Sequence, residues 1–558
     1  MDEHESRIDQ QQRSTLEESP DFGALNRRGV LRALGVAVTS LAALGSVTGT
    51  TTGINDGSPD KEARRARRRS AAKRRIDAAM ENTMAREFVS HPINGDELWY
   101  PSKLASYSKG LPHDALGEVD LEAYQALTKA IEGDGEFSAI PLGGTRMLEN
   151  PEATYSFNMT GYDPNDVYIE PPPAFASAET AAEMVELYWH ARLRDVPFTD
   201  YDTHPLVEAA TDELGDLDDF LGPTKDGTIT AQTLFRGNLE GALVGPHISQ
   251  FLYQDIQRGM IRQNQKFPVA TPGRDFMTAY QPWLEIQNGR PPTASEGYSD
   301  ERYIITGRDL ATLVHRDTPH QLFLAAALIL LDAGVPLDEG NPYTDSHVQS
   351  SFIDYGIQDV IGAVTSIVLD VQHANWYHKW QVHRRLRPEA FGGRLHNHLI
   401  GKKDYPIDGQ LLDAAGVGRT RDKFGTYLLP QAYPEGAPLH PAFPAGHGGI
   451  AGACVTVLKA YFEEEARLPV AVRPTADGTA LEPIRESLTV GGELNKLATN
   501  HTLGRNWAGI HYRSDGADGL RMGERLAISC LRDRLQSKAA VGSFTLTTFD
   551  GEKIEIQS

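Results

Sequence analysis

Three short segments of the sequence concentrate histidine, lysine and arginine, the side chains that bind anions and carry protons. They are residues 375–388, 440–449 and 504–513. Positive charges beside histidines suit a multiply charged oxyanion, because the cations neutralise its charge and an imidazole can donate or accept a proton. The chemistry of this chain therefore depends on whether its fold brings the three segments together.

The middle segment has the features of a helix that begins at an anion. Pro441 and Pro444 stiffen the backbone and favour extended residues before them. Gly446 permits a sharp turn, and we expect a helix of small residues to begin at about His447. A helix N-terminus directs free backbone N–H groups at one point, which favours an anion there.

The other two segments supply the cations. Arg505 offers a planar fork of donors that matches an oxyanion, and His511 follows six residues later, just before the next helix. Lys379 and Arg387 add two more positive charges. Three cations and two histidines around one pocket would repel one another, and an anion such as phosphate or vanadate would relieve that repulsion.

Together these segments resemble the vanadium-dependent haloperoxidases and the related acid phosphatases of the type 2 phosphatidic acid phosphatase superfamily. The shared pattern is Lys…Arg-Pro, then Pro-Ser-Gly-His, then Arg-x5-His. In this chain the blocks read Lys379…Arg387-Pro388, Pro444-Ala445-Gly446-His447 and Arg505…His511. All three occur in order, which makes the combination far more specific than any one block.

Further features resemble the algal bromoperoxidase branch of that superfamily. Lys379 and Arg387 are eight residues apart, and His440 lies seven residues before His447. Residues 243–251 are also similar to a stretch of the algal enzymes. The resemblance covers about residues 80–540 and implies an α-helical fold built on helical bundles.

The resemblance implies roles for individual residues. His511 would be the axial vanadium ligand, and His447 would be the acid/base for peroxide protons, since the pKa of histidine lies near neutrality. The other groups expected to bind vanadate are Lys379, Arg387, Arg505 and the N–H of Gly446. Lys379 would also polarise peroxide, and His440 would tune the pocket and the halide step.

The reaction implied is the oxidation of a halide by hydrogen peroxide to a hypohalous acid equivalent, with vanadate as cofactor and a small organic molecule as acceptor. Bromide is the expected halide, because of the branch resemblance and His440. Relatives assemble as dimers or larger, so a homo-oligomer is expected.

One residue departs from the pattern. Ala445 stands where the family usually has serine, so one hydroxyl donor to vanadate is missing. A hydrogen bond to a charged group contributes roughly 1.5–3 kcal/mol. We expect weaker vanadate binding or altered reactivity, with five or more donors remaining.

Two other functions stay open. An acid phosphatase could use the same pocket, with His511 attacking phosphorus to form a phospho-histidine and His447 protonating the leaving group. A non-catalytic exported protein could keep the fold to bind an oxyanion, and Ala445 is the only support for that alternative.

The N-terminal region resembles an export signal. Arg27 and Arg28 precede the short apolar run 33–47, as in twin-arginine signals. We expect residues 1–55 to form this signal region and the mature protein to be extracellular or held in the cell envelope. No later stretch is long and apolar enough for a membrane span, so none is expected in the mature form.

Charge excludes one class of partner. The chain has 558 residues and a net charge of −22, which argues against nucleic acid because a phosphate backbone needs a basic face. Residues 61–75 are the exception, since nine Lys or Arg against one Glu give them a charge of +8. We expect 56–85 to be a basic linker or helix. The two cysteines, Cys454 and Cys530, allow one disulfide at most.

The remaining pattern is mostly helical. Apolar residues at helical spacing indicate helices over 176–193, 321–333, 349–371, 446–463 and 515–535. We therefore expect an all-α domain over 86–540, with two cores like four-helix bundles, and a C-terminal β-hairpin over 541–558 that turns at Asp550-Gly551. Oxygen-bearing side chains in one loop could hold calcium; they are Asp338, Glu339, Asn341 and Asp345.

Overall fold

The apolar and small-residue stretches of the chain form its helices. The computed structural model describes residues 61–84 and 89–557. There the α-helices α1–α15 span Lys61–Met84, Asp96–Trp99, Leu121–Glu132, Ala178–Leu193, Pro205–Gly215, Tyr280–Gln287, Gly307–Leu313, Gln321–Asp332, Ile357–Trp376, Pro388–Leu399, Gly409–Leu412, Ala415–Phe424, Gly446–Tyr461, Val490–Ala508 and Arg513–Ser537. Short 3-10 helices span Phe137–Ala139, Pro151–Tyr155, Pro164–Asp166, Phe198–Asp200 and Gln250–Leu252. A π-helix, Tyr377–His383, continues α9 directly.

The strands of the described part form small antiparallel pairs. They are β1 (Ile256–Arg258) with β2 (Ile261–Gln263), β3 (Phe267–Ala270) with β4 (Tyr298–Arg302), β5 (Val472–Pro474) with β6 (Leu481–Pro483), and β7 (Ser543–Thr547) with β8 (Lys553–Gln557). The last pair confirms the predicted C-terminal hairpin, and its register joins Ser543 to Gln557. Phe544 and Leu546 are buried and β7 packs on α13, so the hairpin covers one side of the helices.

Four helices, α9, α13, α14 and α15, form the central bundle. Within this bundle, α13 and α15 lie closest to each other, because glycines of each helix face the backbone of the other. A Cβ atom at Gly452 would lie 2.0 Å from the carbonyl oxygen of Leu520, and one at Gly523 would lie 2.2 Å from that of Gly449. Gly448 lies against Gly516 near the starts of the same helices. The two helices therefore run parallel, and their N-termini meet at one end of the bundle.

A second helical group surrounds α4, which packs against α5, α11, α12 and α14. Almost every residue of α4 is buried. Its Glu183 and Glu186 pair with Arg385 and Arg513, which lie beside the functional segments. The all-α prediction is confirmed, and this group ties the second core to the end of the central bundle.

Four of the five predicted helices are present with bounds within two residues of those predicted, and the exception is the helix predicted over 349–371. Ser177 accepts a hydrogen bond from the Thr180 N–H and starts α4. The prediction of a helix from residue 349 is wrong at its start, since α9 begins at Ile357. Tyr355 has a φ of 58°, and its N–H donates to the Asp359 carboxylate, so the chain turns before the helix begins.

The N-terminal part of the chain belongs to a compact unit of its own. The chain divides into two compact units, 1–70 and 71–558, and the described part of the first is the start of α1. The basic residues of α1 are exposed to solvent. The predicted signal region, 1–55, lies outside the described residues, and the boundaries at 55, 85 and 540 stay predictions. No described helix is both long and apolar enough to cross a membrane.

The contact between α13 and α15 leads to a stability prediction. We expect Gly523→Ala to lower the free energy of unfolding by about 1–3 kcal/mol, because the added methyl overlaps the backbone of α13. Gly418→Ala on α12 is the control. A methyl at Gly418 meets nothing within 4 Å, so this change should leave stability unchanged or raise it by up to about 1 kcal/mol. Denaturant unfolding measures both, and equal effects would contradict the packing described.

Candidate oxyanion site

His511 is held just before α15 by contacts to both of its ring nitrogens. Its Nδ1 lies 2.8 Å from Oδ2 of Asp515, a carboxylate that also pairs with Arg385 at 2.7 Å. A carboxylate in an ion pair only accepts, so Nδ1 of His511 carries the proton and Nε2 presents a lone pair. That lone pair accepts from Nη1 of Arg387 at 2.9 Å. The imidazole therefore directs Nε2 toward Arg387 and the neighbouring cations.

Arg387 joins the three functional segments. It precedes Pro388 at the start of α10, and its side chain is buried. Besides His511, its guanidinium donates to the carbonyl oxygen of Ile510 at 2.8 Å and to that of His440 at 3.0 Å. Burial lowers the pKa of Arg387 to about 10, so the group is charged at neutral pH.

Lys379 extends from the π-helix into the loop before α13. Its Nζ donates to the carbonyl oxygens of Pro441 at 2.8 Å and Ala442 at 3.0 Å, and also to that of Pro444. Burial and the charge of Arg387 hold the pKa of Lys379 well below its ordinary value. Lys379 thus fixes the loop that leads into α13, and its direct contact with an oxyanion stays a prediction.

Arg505 approaches from the last turn of α14. Its Nη1 donates to the carbonyl oxygen of Val314 at 2.8 Å, and its guanidinium lies 5.4 Å from the centre of the Tyr433 ring. Its Nε is buried and has no hydrogen-bond partner among the described residues. A buried donor without an acceptor costs about 1–3 kcal/mol, so Arg505 is poised to bind an acceptor.

His447 lies in the first turn of α13, as predicted for the segment that follows Pro444. Its Nε2 lies 3.1 Å from Oδ1 of Asp317. Burial, with the charge of Arg505, lowers the pKa of His447 to about 4, although Asp317 opposes this shift. His447 is consequently neutral at pH 7, with its proton on Nε2 and a lone pair on Nδ1.

His440 lies at the edge of the same cluster. Its Nδ1 is 3.0 Å from Nη2 of Arg387, and its Nε2 is 3.6 Å from Oε2 of Glu149. Its ring lies 5.0 Å from that of Trp376, between centroids. Burial and the nearby charges of Lys379 and Arg387 hold the pKa of His440 well below its ordinary value.

All the predicted side chains act on one another electrostatically. Burial holds the pKa of His511 well below its ordinary value, and the lowering is increased by Arg387, Lys379, Arg505 and His447. Gly446 leaves room beside them, since a Cβ atom there would meet only the Gln372 side chain, at 3.4 Å or more. Excess positive charge, an unused donor and the N-termini of two helices together fit a multiply charged oxyanion.

Three residues that support the site are not among those predicted from the sequence. Asp515 follows His511 by four residues at a helix start, a spacing that places the two side chains together. Asp317 and His501 hold His447 from other parts of the chain, 130 and 54 residues away, and no local spacing signals them.

The loop proposed to hold calcium has other contacts. Asp338 accepts from the Gly340 N–H at 3.0 Å and the Thr545 N–H at 3.4 Å, and so connects this loop to the hairpin. Its acidic side chains do not converge. In the described ranges, the single group of three His, Cys, Asp or Glu with ligand atoms within 4.8 Å lies elsewhere, at Asp317, His447 and His501. Calcium stays a prediction without support from this geometry. Cys454 and Cys530 are both unpaired thiols.

Comparisons with known proteins show which proteins this chain is similar to. A family model described as the VCPO second helical-bundle domain matches residues 361–537. A vanadium-dependent bromoperoxidase of Ascophyllum nodosum is 36% identical over 81% of this chain and 86% of its own. One of Corallina pilulifera is 33% identical over 86% of this chain and 97% of its own. The homohexameric structure of the second vanadate-dependent bromoperoxidase of A. nodosum aligns with a TM-score of 0.85 at 31% identity, covering 93% and 96% of the two chains.

The fold and the site define a helical-bundle enzyme whose buried cations and histidines meet at the end of the bundle. The extent of similarity to the algal proteins then fixes the family. The chain belongs to the vanadium-dependent haloperoxidases and is an oxidoreductase of the peroxidase type.

The contact between His511 and Asp515 gives a binding prediction. We expect Asp515→Asn to weaken orthovanadate binding by roughly ten- to a hundredfold, because the amide no longer fixes the imidazole proton on Nδ1 or pairs with Arg385. Equilibrium dialysis measures the affinity. Asp518→Asn, one turn further along α15 and without a hydrogen bond to His511, is the control. If Asp515→Asn binds orthovanadate as tightly as Asp518→Asn and the unsubstituted chain, Asp515 does not orient the His511 imidazole.

Proposed function

We propose that this protein is a vanadate-dependent bromoperoxidase that uses hydrogen peroxide to oxidise bromide to a hypobromous acid equivalent. The observation that carries the proposal is the lone pair of His511 Nε2, which faces Arg387 in a buried group of cations. The bromoperoxidases of Ascophyllum and Corallina support the choice of vanadate and bromide. A small organic molecule is the proposed acceptor of the oxidised halogen.

The proposed vanadate-binding groups follow from the donors around His511. His511 is the metal ligand through Nε2; the groups that neutralise the oxygens are Lys379, Arg387, Arg505 and the N–H of Gly446. When bound, vanadate supplies a Lewis acid that activates peroxide toward attack by halide. The cations act from fixed positions in a buried site, so their charges are screened little by water.

His447 is the proposed acid/base. Asp317 accepts the Nε2 proton of His447, so Nδ1 is the nitrogen that takes a proton from hydrogen peroxide. The side chain of His447 is 21% exposed, which gives small reactants access to it. The same nitrogen returns the proton as the hypohalous acid leaves.

His440 and Ala445 are proposed to set halide reactivity and vanadate affinity. The rings of His440 and Trp376 form a polarisable wall beside Arg387, where a halide can approach. Ala445 is the N-cap of α13 and makes no side-chain hydrogen bond. A serine hydroxyl there could accept from the first turn of α13 and donate to vanadate, so alanine weakens the site without removing its charges.

The test is peroxide-dependent bromination of a phenolic dye by the vanadate-loaded protein, with a phosphatase assay in parallel. We expect bromination without significant phosphatase activity. His511→Ala should abolish it, whereas His347→Ala, at an exposed histidine, should not change it. Ala445→Ser should raise vanadate affinity by roughly tenfold. Phosphatase activity alone would support the acid phosphatase instead, and a folded, loaded protein with neither activity would support a non-catalytic oxyanion binder.

We further propose that the chain is exported by the twin-arginine route and assembles as a homo-oligomer outside the cell or in its envelope. Arg27, Arg28 and the apolar run 33–47 support export, and the homohexamer of the Ascophyllum relative supports assembly. In a bacterium with the twin-arginine route, the full chain should appear in the exported fraction. Light scattering of the exported protein should give the mass of several protomers. The paired change Arg27→Lys and Arg28→Lys should retain it inside. Export of that variant, or a monomeric mass, would contradict the respective proposal.

A further inference from the structure

Asp317, His447 and His501 form a closed ring of hydrogen bonds. Asp317 precedes α8, His447 starts α13 and His501 lies in the middle of α14. Oδ1 of Asp317 lies 3.1 Å from Nε2 of His447, and Oδ2 lies 2.9 Å from Nε2 of His501. Nδ1 of His501 lies 3.1 Å from the backbone carbonyl oxygen of His447, which closes the ring.

The donors and acceptors in this ring determine how many protons it holds, and therefore its charge. A carbonyl oxygen can only accept, so Nδ1 of His501 must carry a proton. A neutral His501 would then place the lone pair of Nε2 against Oδ2 of Asp317, and these two atoms would repel at 2.9 Å. A second proton must therefore lie between them, either on His501 or on Asp317.

The surroundings favour the proton on His501. Burial raises the pKa of Asp317, but its interactions with the imidazoles of His447 and His501 lower it below its ordinary value, so Asp317 is the anion of the ring. The side chain of His501 is fully buried, with the Phe323 ring edge-on at 5.1 Å between centroids. Burying an imidazolium is costly unless an opposite charge compensates it, and Asp317 is the carboxylate in direct contact with His501.

We propose that His501 is a positioning residue whose ring carries a proton on both nitrogens in the folded protein, and that it neutralises Asp317 while fixing the proton of His447 on Nε2. Its importance for catalysis rests on the proposed function, in which Nδ1 of His447 takes the peroxide proton. The charge state itself does not depend on vanadate.

The proposal has a consequence for the pH dependence of the reaction. The charged and titratable groups that face His447 are Asp317 from the loop before α8, His501 and Arg505 from α14, and His511 before α15. Asp317 raises the pKa of His447, whereas Arg505 and His501 lower it. Loss of the His501 charge therefore raises that pKa. Because His447 must be neutral to act as a base, activity is lost as the pH falls through its pKa, and a raised pKa moves this loss to higher pH.

The direct test is neutron diffraction from crystals of the full chain exchanged into heavy water, without added vanadate. We expect deuterium on both ring nitrogens of His501, on Nε2 alone of His447 and on neither oxygen of Asp317. Deuterium on Asp317 with only one on His501 would overturn the proposal. A divalent cation between the three side chains, in place of the inner deuterium atoms, would also overturn it. The deuterium positions can be determined whether or not the vanadate-loaded protein catalyses bromination.

A variant adds a kinetic readout. The amide of His501→Gln can donate to Asp317 but cannot carry charge, so the acid-side midpoint of kcat/KM for peroxide should rise by about one pH unit, a tenfold change in proton affinity. His373→Gln, which makes the same change at a histidine that bonds Asn158, is the control and should leave the midpoint unchanged. A lower rate with an unmoved midpoint in His501→Gln would mean that His501 is only structural, and would overturn the proposal.

Discussion

Lys379, Arg387 and Arg505 are buried around the imidazole of His511, and such like charges would repel strongly in a region of low dielectric constant. Much of the surrounding structure offsets this cost. Backbone carbonyls of the loop 441–444 surround the lysine, and other carbonyls receive the two guanidinium groups. The carboxylate of Asp515 holds the far side of His511, and Arg385 and Glu183 continue the ion-pair network into the second helical group. The proposed oxyanion would neutralise the positive charge that remains.

The bundle provides the geometry that this charge cluster needs. Glycines let α13 and α15 pack backbone to backbone in parallel, so two helix N-termini reach the same end. The π-helix after α9 directs Lys379 toward this end, and α14 ends there with Arg505. A single helix N-terminus attracts an anion weakly, whereas two N-termini with three cations in a water-poor site attract it strongly.

Much of the site follows from local sequence. Proline and glycine before His447 indicate the start of α13. Arg505 and His511 are six residues apart across a helix end, so each segment predicts its own contribution to the site. Apolar periodicity likewise indicates five of the helices, and alternating apolar and polar residues indicate the hairpin. Asp317 and His501 could not be found in this way, because their contact with His447 depends on the tertiary packing of α13, α14 and the loop before α8 rather than on spacing. The early start predicted for α9 failed for a related reason, since the Asp359 carboxylate binds the preceding backbone and turns the chain.

The central claim is that His511 Nε2 is the ligand of a vanadate held by these cations. It is tested most directly by a crystal structure of the vanadate-loaded protein, with vanadium located by its anomalous scattering. We expect one vanadium per chain, bonded to Nε2 of His511, with Arg387 and Arg505 donating to its oxygens. Vanadium at another place, or an ion held near the cations without a bond to His511, would contradict the account.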